Sequence, residues 1–257
     1  MPNFNDNQEM QKQYATAQNL NTRASLHALF STNKLGWNNW VFEQYCLRPY
    51  LSVLELGCGS AGMWAGRAGE LRGVRLLLSD FSQGMLQTAR ENTRGLPGIS
   101  YECIDAQDIP HPEASFDIVI ANHMLYHVPD IDKALGEFLR ALKPGGTLYA
   151  TTLGNANMKE LYDMLRRFYP ESDRARQSFT AAFRLENGAA QLHRHFAHVE
   201  LRRYEDSLHI TQAQPLVDYV LSSGMEDVDA FARHVEEIIA RDGAIGITKD
   251  AGMFIAS

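Results

Sequence analysis

The chain has 257 residues, of which 45% are hydrophobic and 21% are charged, a balance that is ordinary for a globular protein. Its formal net charge of −7 disfavours a nucleic-acid partner, because such proteins usually carry a basic surface. No apolar run approaches the about 18 residues of a membrane span, and the polar N-terminus does not read as a signal peptide. We therefore expect no membrane span and a cytoplasmic protein. Three separated cysteines without a C-x-x-C pair indicate neither a disulfide framework nor a cysteine zinc site.

The first 50 residues are predicted to form a helical N-terminal cap. Helical spacing of apolar residues suggests helices over 8–20, 22–30 and 37–47. The aromatic residues Trp37, Trp40 and Phe42 are expected to pack against the main domain.

From residue 51 onward, apolar runs alternate with helical stretches. The runs cover 51–56, 74–79, 99–103, 116–121 and 147–152, and the helices are predicted over 63–69, 82–93 and 131–142. This alternation predicts a parallel sheet that is buried on both faces. In such sheets the ligand binds beyond the carboxyl ends of the strands. Residues 51–154 are therefore predicted to be a ligand-binding core.

The remainder of the chain has a different pattern. Residues 155–198 are predicted to be a lid insertion over the strand ends, with helices over 157–169 and 188–196. Residues 199–257 are predicted to complete the core sheet with strands over 199–211 and 247–256, and with helices over 215–222 and 228–242. Three lid histidines (193, 195 and 198) do not gather on one helix face, so no metal site is predicted.

The first strand runs into a glycine turn, Gly57-Cys58-Gly59-Ser60-Ala61-Gly62. G-x-G-x-x-G alone is a weak sign of a dinucleotide site. Glu55 lies two residues before the turn, where a carboxylate would repel a pyrophosphate but suit a ligand with an amino group. Asp80 ends the second strand and can accept ribose hydroxyl protons. NAD enzymes use an acid in the same place, so Asp80 does not discriminate between the two ligands.

Residues after the second and third strands suit an adenine. Phe81 can pack on the ring face, or it can belong to the core. Asp105 can accept from the exocyclic amine while the Ala106 amide reaches a ring nitrogen, or Asp105 can be a plain turn residue. For Asp80 the alternative is a helix N-cap, although Ser82 is the better cap. S-adenosylmethionine, which has an amino group, an adenine and no phosphate, fits this set.

Four segments in order resemble a class I S-adenosylmethionine-dependent methyltransferase. They read VLELGCGSAG, LLLSDFSQGMLQTAR, CIDAQDIPHPEASFDIVIANHMLYHVPD and ALKPGGTLYATT, and they are most similar to the small-molecule branch that includes the ubiquinone/menaquinone-type enzymes. The resemblance implies an α/β fold with a Rossmann-like seven-stranded sheet in the order 3-2-1-4-5-7-6, whose last strand is antiparallel.

The resemblance also implies a role for individual residues. Glu55 matches the acid that orders the methionine amino end, and the backbone around Cys58 contacts the same group. The remaining cofactor positions are Gly57 and Gly59 at the methionine moiety, Asp80 at the ribose, Phe81 and Met85 beside the adenine, Asp105 and Ala106 at the adenine edge, and Asn122 near the sulfonium. Ser60-Ala61 replaces the commoner Thr-Gly, a mild departure.

Methyl transfer from a sulfonium is an in-line displacement in which positioning is worth about 7–11 kcal/mol. An acidic nucleophile can also need a general base. His127 is the first candidate, paired with Tyr126, and His123 is the second, because histidine titrates near neutrality. A structural or substrate-orienting role is the alternative for each.

The N-terminal segment is predicted to close over the cofactor. Tyr14 can cover the sulfonium with its aromatic face, and Arg23 can pair with the methionine carboxylate. Packing roles remain open for both, and His27 is expected to be a helix residue rather than a ligand. Residues 161–203 carry more arginines than acidic residues, which fits an anionic acceptor or a solvated helix face.

The favoured hypothesis is a methyltransferase that moves a methyl group from S-adenosylmethionine to a small-molecule acceptor at oxygen, nitrogen or carbon. An NAD(P)-dependent oxidoreductase is an alternative that depends on the glycine turn and Asp80. A non-catalytic protein that binds S-adenosylmethionine is the other. The sequence does not identify the acceptor.

Overall fold

A computed structural model describes residues 17–172 and 182–257. Within these residues, seven strands form one sheet in the order β3-β2-β1-β4-β5-β7-β6. The first five strands are parallel, and β7 runs antiparallel to β5 and β6. The predicted fold, strand order and antiparallel last strand are confirmed. The strands are β1 Ser52–Leu56, β2 Arg75–Asp80, β3 Ile99–Cys103, β4 Phe116–Asn122, β5 Leu142–Leu153, β6 Val199–Ile210 and β7 Ile245–Ala256.

Helices lie on both faces of the sheet, as burial of the parallel strands requires. Two of them start at a residue whose side chain caps the helix: Ser82 accepts from the Met85 amide at 3.3 Å, and Asp130 accepts from the Lys133 amide at 3.0 Å. The helices are α1 Ala17–Phe30, α2 Trp37–Gln44, α3 Gln83–Asn92, α4 Ile131–Ala141, α5 Lys159–Phe168, α6 Gly188–Leu192, α7 Ala213–Ser222 and α8 Asp229–Asp242.

Three predicted elements differ from the structure. The break near residue 21 is absent, and α1 is continuous because packing along α7 overrides the weak helix propensity of Asn21-Thr22. The predicted helix over 63–69 is only the 3₁₀ turn Gly62–Trp64, and Gly66 follows it with a φ of +79°. The helix predicted over 188–196 ends at Leu192.

The segment predicted to be a lid contributes to the core. Phe183 is fully buried against Phe254 of β7, with ring centroids 5.8 Å apart. Leu161 of α5 packs in a second apolar cluster with Phe231 of α8 and Ile247 of β7. The described parts of 155–198 thus pack beside the sheet, and among them only Asn157 lines the cavity described below. No helix in the described ranges is long and apolar enough to cross a membrane.

Candidate functional site

A cavity of about 880 Å³ opens at the carboxyl ends of the parallel strands. This volume lies near the upper end of the range of about 300–1,000 Å³ for small-molecule sites. Residues of α1, α2, β6 and β7 also line the cavity, where the end of α1 packs against β6. It brings together most of the predicted site residues: Glu55, Gly57, Cys58, Gly59, Asp80, Phe81, Met85, Asp105, Ala106, Asn122, His123, Tyr126 and His127.

Asp80 fastens the glycine turn to the second strand. Its Oδ2 accepts from the Gly59 amide at 2.9 Å, and its Oδ1 accepts from the Ser82 amide at 2.8 Å. The Cys58 amide donates to the Ser79 carbonyl at 2.8 Å. Gly59 has a φ of +55°, and a Cβ added there would meet no atom within 4 Å. The turn is therefore held from one side and open to the cavity on the other, as close approach of a ligand to backbone requires.

Glu55 is a buried acid, with 3% of its surface exposed. Its Oε2 accepts from the Trp64 indole nitrogen at 2.5 Å, and its Oε1 accepts from Asn122 Nδ2 at 3.0 Å. The same Asn122 nitrogen lies 2.8 Å from the Tyr45 hydroxyl. Burial raises the pKa of Glu55 to about 7, and the hydrogen bonds from Trp64 and Asn122 oppose that rise. The site thus presents a carboxylate whose ionisation an incoming ammonium group would favour.

We expect cofactor binding to ionise Glu55 and release a proton. Below pH 7 the carboxyl of the ligand-free protein is largely protonated, so the affinity for S-adenosylhomocysteine, which keeps the amino group, should rise about tenfold from pH 5.5 to pH 8. Calorimetry at pH 6.5 in two buffers of different ionisation enthalpy measures the proton released.

Glu55→Gln is the matched variant, because it keeps the shape and cannot ionise. It should lose most of the proton release, while Asp80, whose pKa burial also raises, accounts for any remainder. Equal proton release by the wild type and the variant would contradict this role for Glu55.

The predicted adenine residues lie at the outer edge of the cavity. Phe81 is 38% exposed, and Met85 and Ala106 are buried. The Gln107 amide donates to Asp105 Oδ1 at 2.9 Å. Asp105 is therefore held in a turn beside the cavity, an arrangement that fits both interpretations of this residue. Gln107 also lines the cavity, and the sequence reasoning missed it.

His123 is held in the left-handed region of backbone conformation, with a φ of +49°. Its amide donates to Thr151 Oγ1 at 3.0 Å, and its ring lies 5.0 Å from the Trp37 ring and 6.4 Å from the Tyr126 ring. Its Nδ1 is buried and has no hydrogen-bond partner among the residues that the structure describes. His123 therefore presents an unused ring nitrogen in the cavity wall.

Both candidate bases are neutral in the ligand-free cavity. Burial lowers the pKa of His123 to about 3 and that of His127 to about 4. Each imidazole is therefore unprotonated on one nitrogen, and it is a weaker base than an imidazole that titrates near neutrality. The expectation that these histidines titrate near neutrality does not hold in the ligand-free cavity, because it took no account of desolvation.

Two predicted cofactor residues fall outside this arrangement. Tyr14 lies outside the described residues. The guanidinium of Arg23 donates to the Ser222 carbonyl at 2.8 Å and to the Ser222 hydroxyl at 3.3 Å, joining α1 to α7, and Arg23 does not line the cavity. His27, one turn further along α1, does line it.

Other residues in or beside the cavity gave no clear signal in the sequence. Trp64 and Tyr45 contact the Glu55–Asn122 pair, and Lys249 on β7 lines the side opposite the glycine turn. The tryptophan two residues beyond the last glycine of the turn could have indicated a partner for Glu55. Tyr45 and Lys249 are too distant along the chain for spacing to reveal them.

Residues 54–150 match the family model described as a methyltransferase domain. The chain is 30% identical over 142 residues to the demethylmenaquinone methyltransferase of Lysinibacillus sphaericus, covering 52% of this chain and 58% of that protein. It is 32% identical over 138 residues to the ubiquinone/menaquinone biosynthesis C-methyltransferase of Shewanella sediminis, covering 52% of this chain and 53% of that protein. The chain spans about half the length of these curated relatives.

A solved structure shares the fold. Phosphoethanolamine N-methyltransferase 2 of Haemonchus contortus, in complex with S-adenosyl-L-methionine, superposes with a TM-score of 0.61 at 19% identity, covering 100% of this chain and 60% of that one. The strand order and the matched domain are those of the class I methyltransferase fold, whose cofactor is S-adenosyl-L-methionine. Over about half of its length, the chain is similar to curated enzymes of the ubiquinone/menaquinone type.

The residues of the cavity fit this cofactor. A buried acid at Glu55 suits its amino group, Asp80 faces the cavity where a ribose hydroxyl can reach it, and the open side of Gly59 leaves room for a ligand against the backbone. The oxidoreductase alternative is not supported, because a buried carboxylate beside the turn would repel a pyrophosphate.

Proposed function

We propose that the chain transfers the methyl group of S-adenosylmethionine to a small-molecule acceptor by in-line displacement. One observation carries the proposal. A single cavity contains most of the predicted cofactor residues and all three predicted catalytic residues, and its other end is lined by polar and aromatic side chains. Its volume of about 880 Å³ is that of a site for small molecules.

The cofactor supplies an activated methyl group when it is bound, and the chain positions the two reactants. Glu55 and the glycine turn orient the methionine end, and Asp80 orients the ribose. The rings of Trp37, His123 and Tyr126 border the space beyond Asn122, where they exclude water from the acceptor. Such positioning accounts for most of the acceleration that a sulfonium donor needs.

The proton of the acceptor is the second requirement. We assign His123 and His127 as the candidate groups to accept it, with Tyr126 orienting His127, whose ring lies 4.6 Å from that of the tyrosine. A neutral imidazole is the form that accepts a proton. Whether the acceptor atom is oxygen, nitrogen or carbon is open in this proposal.

We expect the purified protein to form S-adenosylhomocysteine from S-adenosylmethionine only when a suitable acceptor is present. Mass spectrometry of reactions with phenols, aromatic carboxylates and amines should detect a methylated product from at least one class. Asp80→Ala, which should bind the cofactor weakly, serves as the control. Tight binding of S-adenosylhomocysteine without product from any acceptor would favour the non-catalytic alternative instead.

A further inference from the structure

Lys249 is a cation in the cavity with only a weak contact. It lies on β7 opposite Asp206 of β6 in the strand register. Its Nζ is 3.4 Å from His27 Nδ1, a long distance for a hydrogen bond. Among residues 17–172 and 182–257, no carboxylate lies within ion-pair distance of this ammonium group. A partly buried charge without a counter-ion is costly and is normally paired.

Asp206, the nearest acid in the register, is occupied elsewhere. The Ser31 hydroxyl lies 2.8 Å from both of its carboxylate oxygens, and the Asn33 and Ser207 amides donate to Oδ1 at 3.0 Å and 2.8 Å. These bonds hold the loop after α1 against β6. Asp206 therefore serves as an acceptor for that loop, and it exerts a favourable but more distant pull on Lys249.

The groups around Lys249 do not supply an anion. His27 and His123 are both partly buried, and the charge of Lys249 adds to burial in lowering the pKa of each to about 3. Lys34 also lines the cavity, and its Nζ donates to the Ser31 carbonyl at 2.9 Å. With Asp206 committed to the loop after α1, this end of the cavity presents the ammonium groups of Lys249 and Lys34 and the unpartnered Nδ1 of His123.

The methionine carboxylate of the cofactor is not expected to be the missing anion. The cofactor residues Glu55, Asp80 and Asn122 lie on β1, β2 and β4, whereas β7 is two strands beyond β4. Adjacent strands are about 4.8 Å apart, so this offset is roughly 10 Å. Lys249 thus faces the part of the cavity that remains for the acceptor.

We propose that Lys249 binds a negatively charged oxygen group on the acceptor, a carboxylate or an ionised hydroxyl, with His27 and His123 flanking it. The inference rests on the proposed function, because it names the chemical class of the acceptor. The aromatic residues Trp37, Tyr126 and Tyr219 in the same wall suit a ring-bearing acid. An anionic acceptor would also neutralise the charge of Lys249, which would otherwise repel the positively charged sulfonium of the cofactor in the same cavity.

The test compares two probes of equal shape and different charge, 2-naphthoate and 2-naphthamide. Ligand-observed NMR titration of the wild type, with and without S-adenosylhomocysteine, should show at least about tenfold tighter binding of the naphthoate, the value of one hydrogen bond to a charged group. Lys249→Met, which keeps the apolar stem, should bind both probes within about twofold of each other, because the charge is gone. Lys249→Arg should retain the preference for the anion.

Lys34→Met is the control for general positive charge at the cavity, and it should change the preference less than about threefold, because Lys34 is exposed. Two results would overturn the inference: equal binding of both probes by the wild type, or a preference that survives in Lys249→Met. A parallel loss of S-adenosylhomocysteine affinity in Lys249→Met would overturn it too, since Lys249 would then hold the cofactor carboxylate.

To separate this inference from the proposed function, S-adenosylhomocysteine binding is measured on the wild type alone. Failure of the wild type to bind it contradicts the methyltransferase proposal. The naphthoate comparison made without cofactor tests the anion site independently of that result. An ionised hydroxyl is distinguished from a carboxylate by repeating the comparison with 2-naphthol above and below its pKa.

Discussion

Replacing Asp80 by alanine should weaken the binding of S-adenosylhomocysteine about 100-fold or more. The carboxylate has two expected tasks: it accepts from the ribose hydroxyls, and it holds the Gly59 and Ser82 amides at 2.9 Å and 2.8 Å. Each hydrogen bond to a charged group is worth about 1.5–3 kcal/mol, so two of them correspond to roughly this loss. Isothermal titration calorimetry of the wild type and the variant measures the change.

Two variants show whether the loss is specific. Asp108→Ala removes an exposed aspartate from the third-strand loop, outside the cavity, and should leave affinity unchanged. Asp80→Asn keeps the shape and one acceptor oxygen, and it should lose only about tenfold, an intermediate effect. Unaltered affinity in Asp80→Ala would remove Asp80 from the cofactor site.

The second large effect separates two glycines of the same turn. Gly57 and Gly59 have φ values of +66° and +55°, so alanine is strained at both by about 1–2 kcal/mol. A Cβ at Gly57 would lie 2.8 Å from the Cβ of Met124, whereas a Cβ at Gly59 would meet nothing within 4 Å. Gly57→Ala should therefore lose about 2–5 kcal/mol of unfolding free energy, because overpacking adds about 1–3 kcal/mol to the strain.

Gly59→Ala should have the opposite profile. Its methyl group enters the open side of the turn, so unfolding free energy should fall by only about 1–2 kcal/mol while cofactor affinity falls more than about tenfold. Urea denaturation without ligand measures the first quantity, and calorimetry with S-adenosylhomocysteine measures the second. If Gly59→Ala binds the cofactor as tightly as the wild type, the cofactor does not approach this part of the turn.

Local pattern was sufficient for the residues that lie next to strand ends. Glu55, Asp80 and Asp105 each stand at or near the end of an apolar run, and parallel topology brings those ends to one edge of the sheet. The cavity contains all three. The strand order was also predictable, because the four motifs in order identified the fold.

Elements that depend on tertiary contacts were not predictable. The break near residue 21 disappears because α1 packs along α7, and the Arg23 guanidinium faces Ser222 for the same reason. The histidine pKa values depend on burial that no local pattern reveals. Lys249 lies on an antiparallel strand about 190 residues after the glycine turn, so nothing in its surroundings along the chain places it in the cavity.

The late pair of strands adds residues on the acceptor side that lie beyond the matched domain. The predicted cofactor residues that line the cavity lie between Glu55 and Asn122, within the matched domain, whereas Asp206, Tyr219 and Lys249 come after it. The two strands β6 and β7 join the sheet at its far edge and do not contact the glycine turn. A chimera that exchanges only the segment after residue 153 would therefore change which acceptors bind, and it would leave the affinity for S-adenosylmethionine unchanged. Acceptor range and donor affinity can in this way diverge independently within one fold.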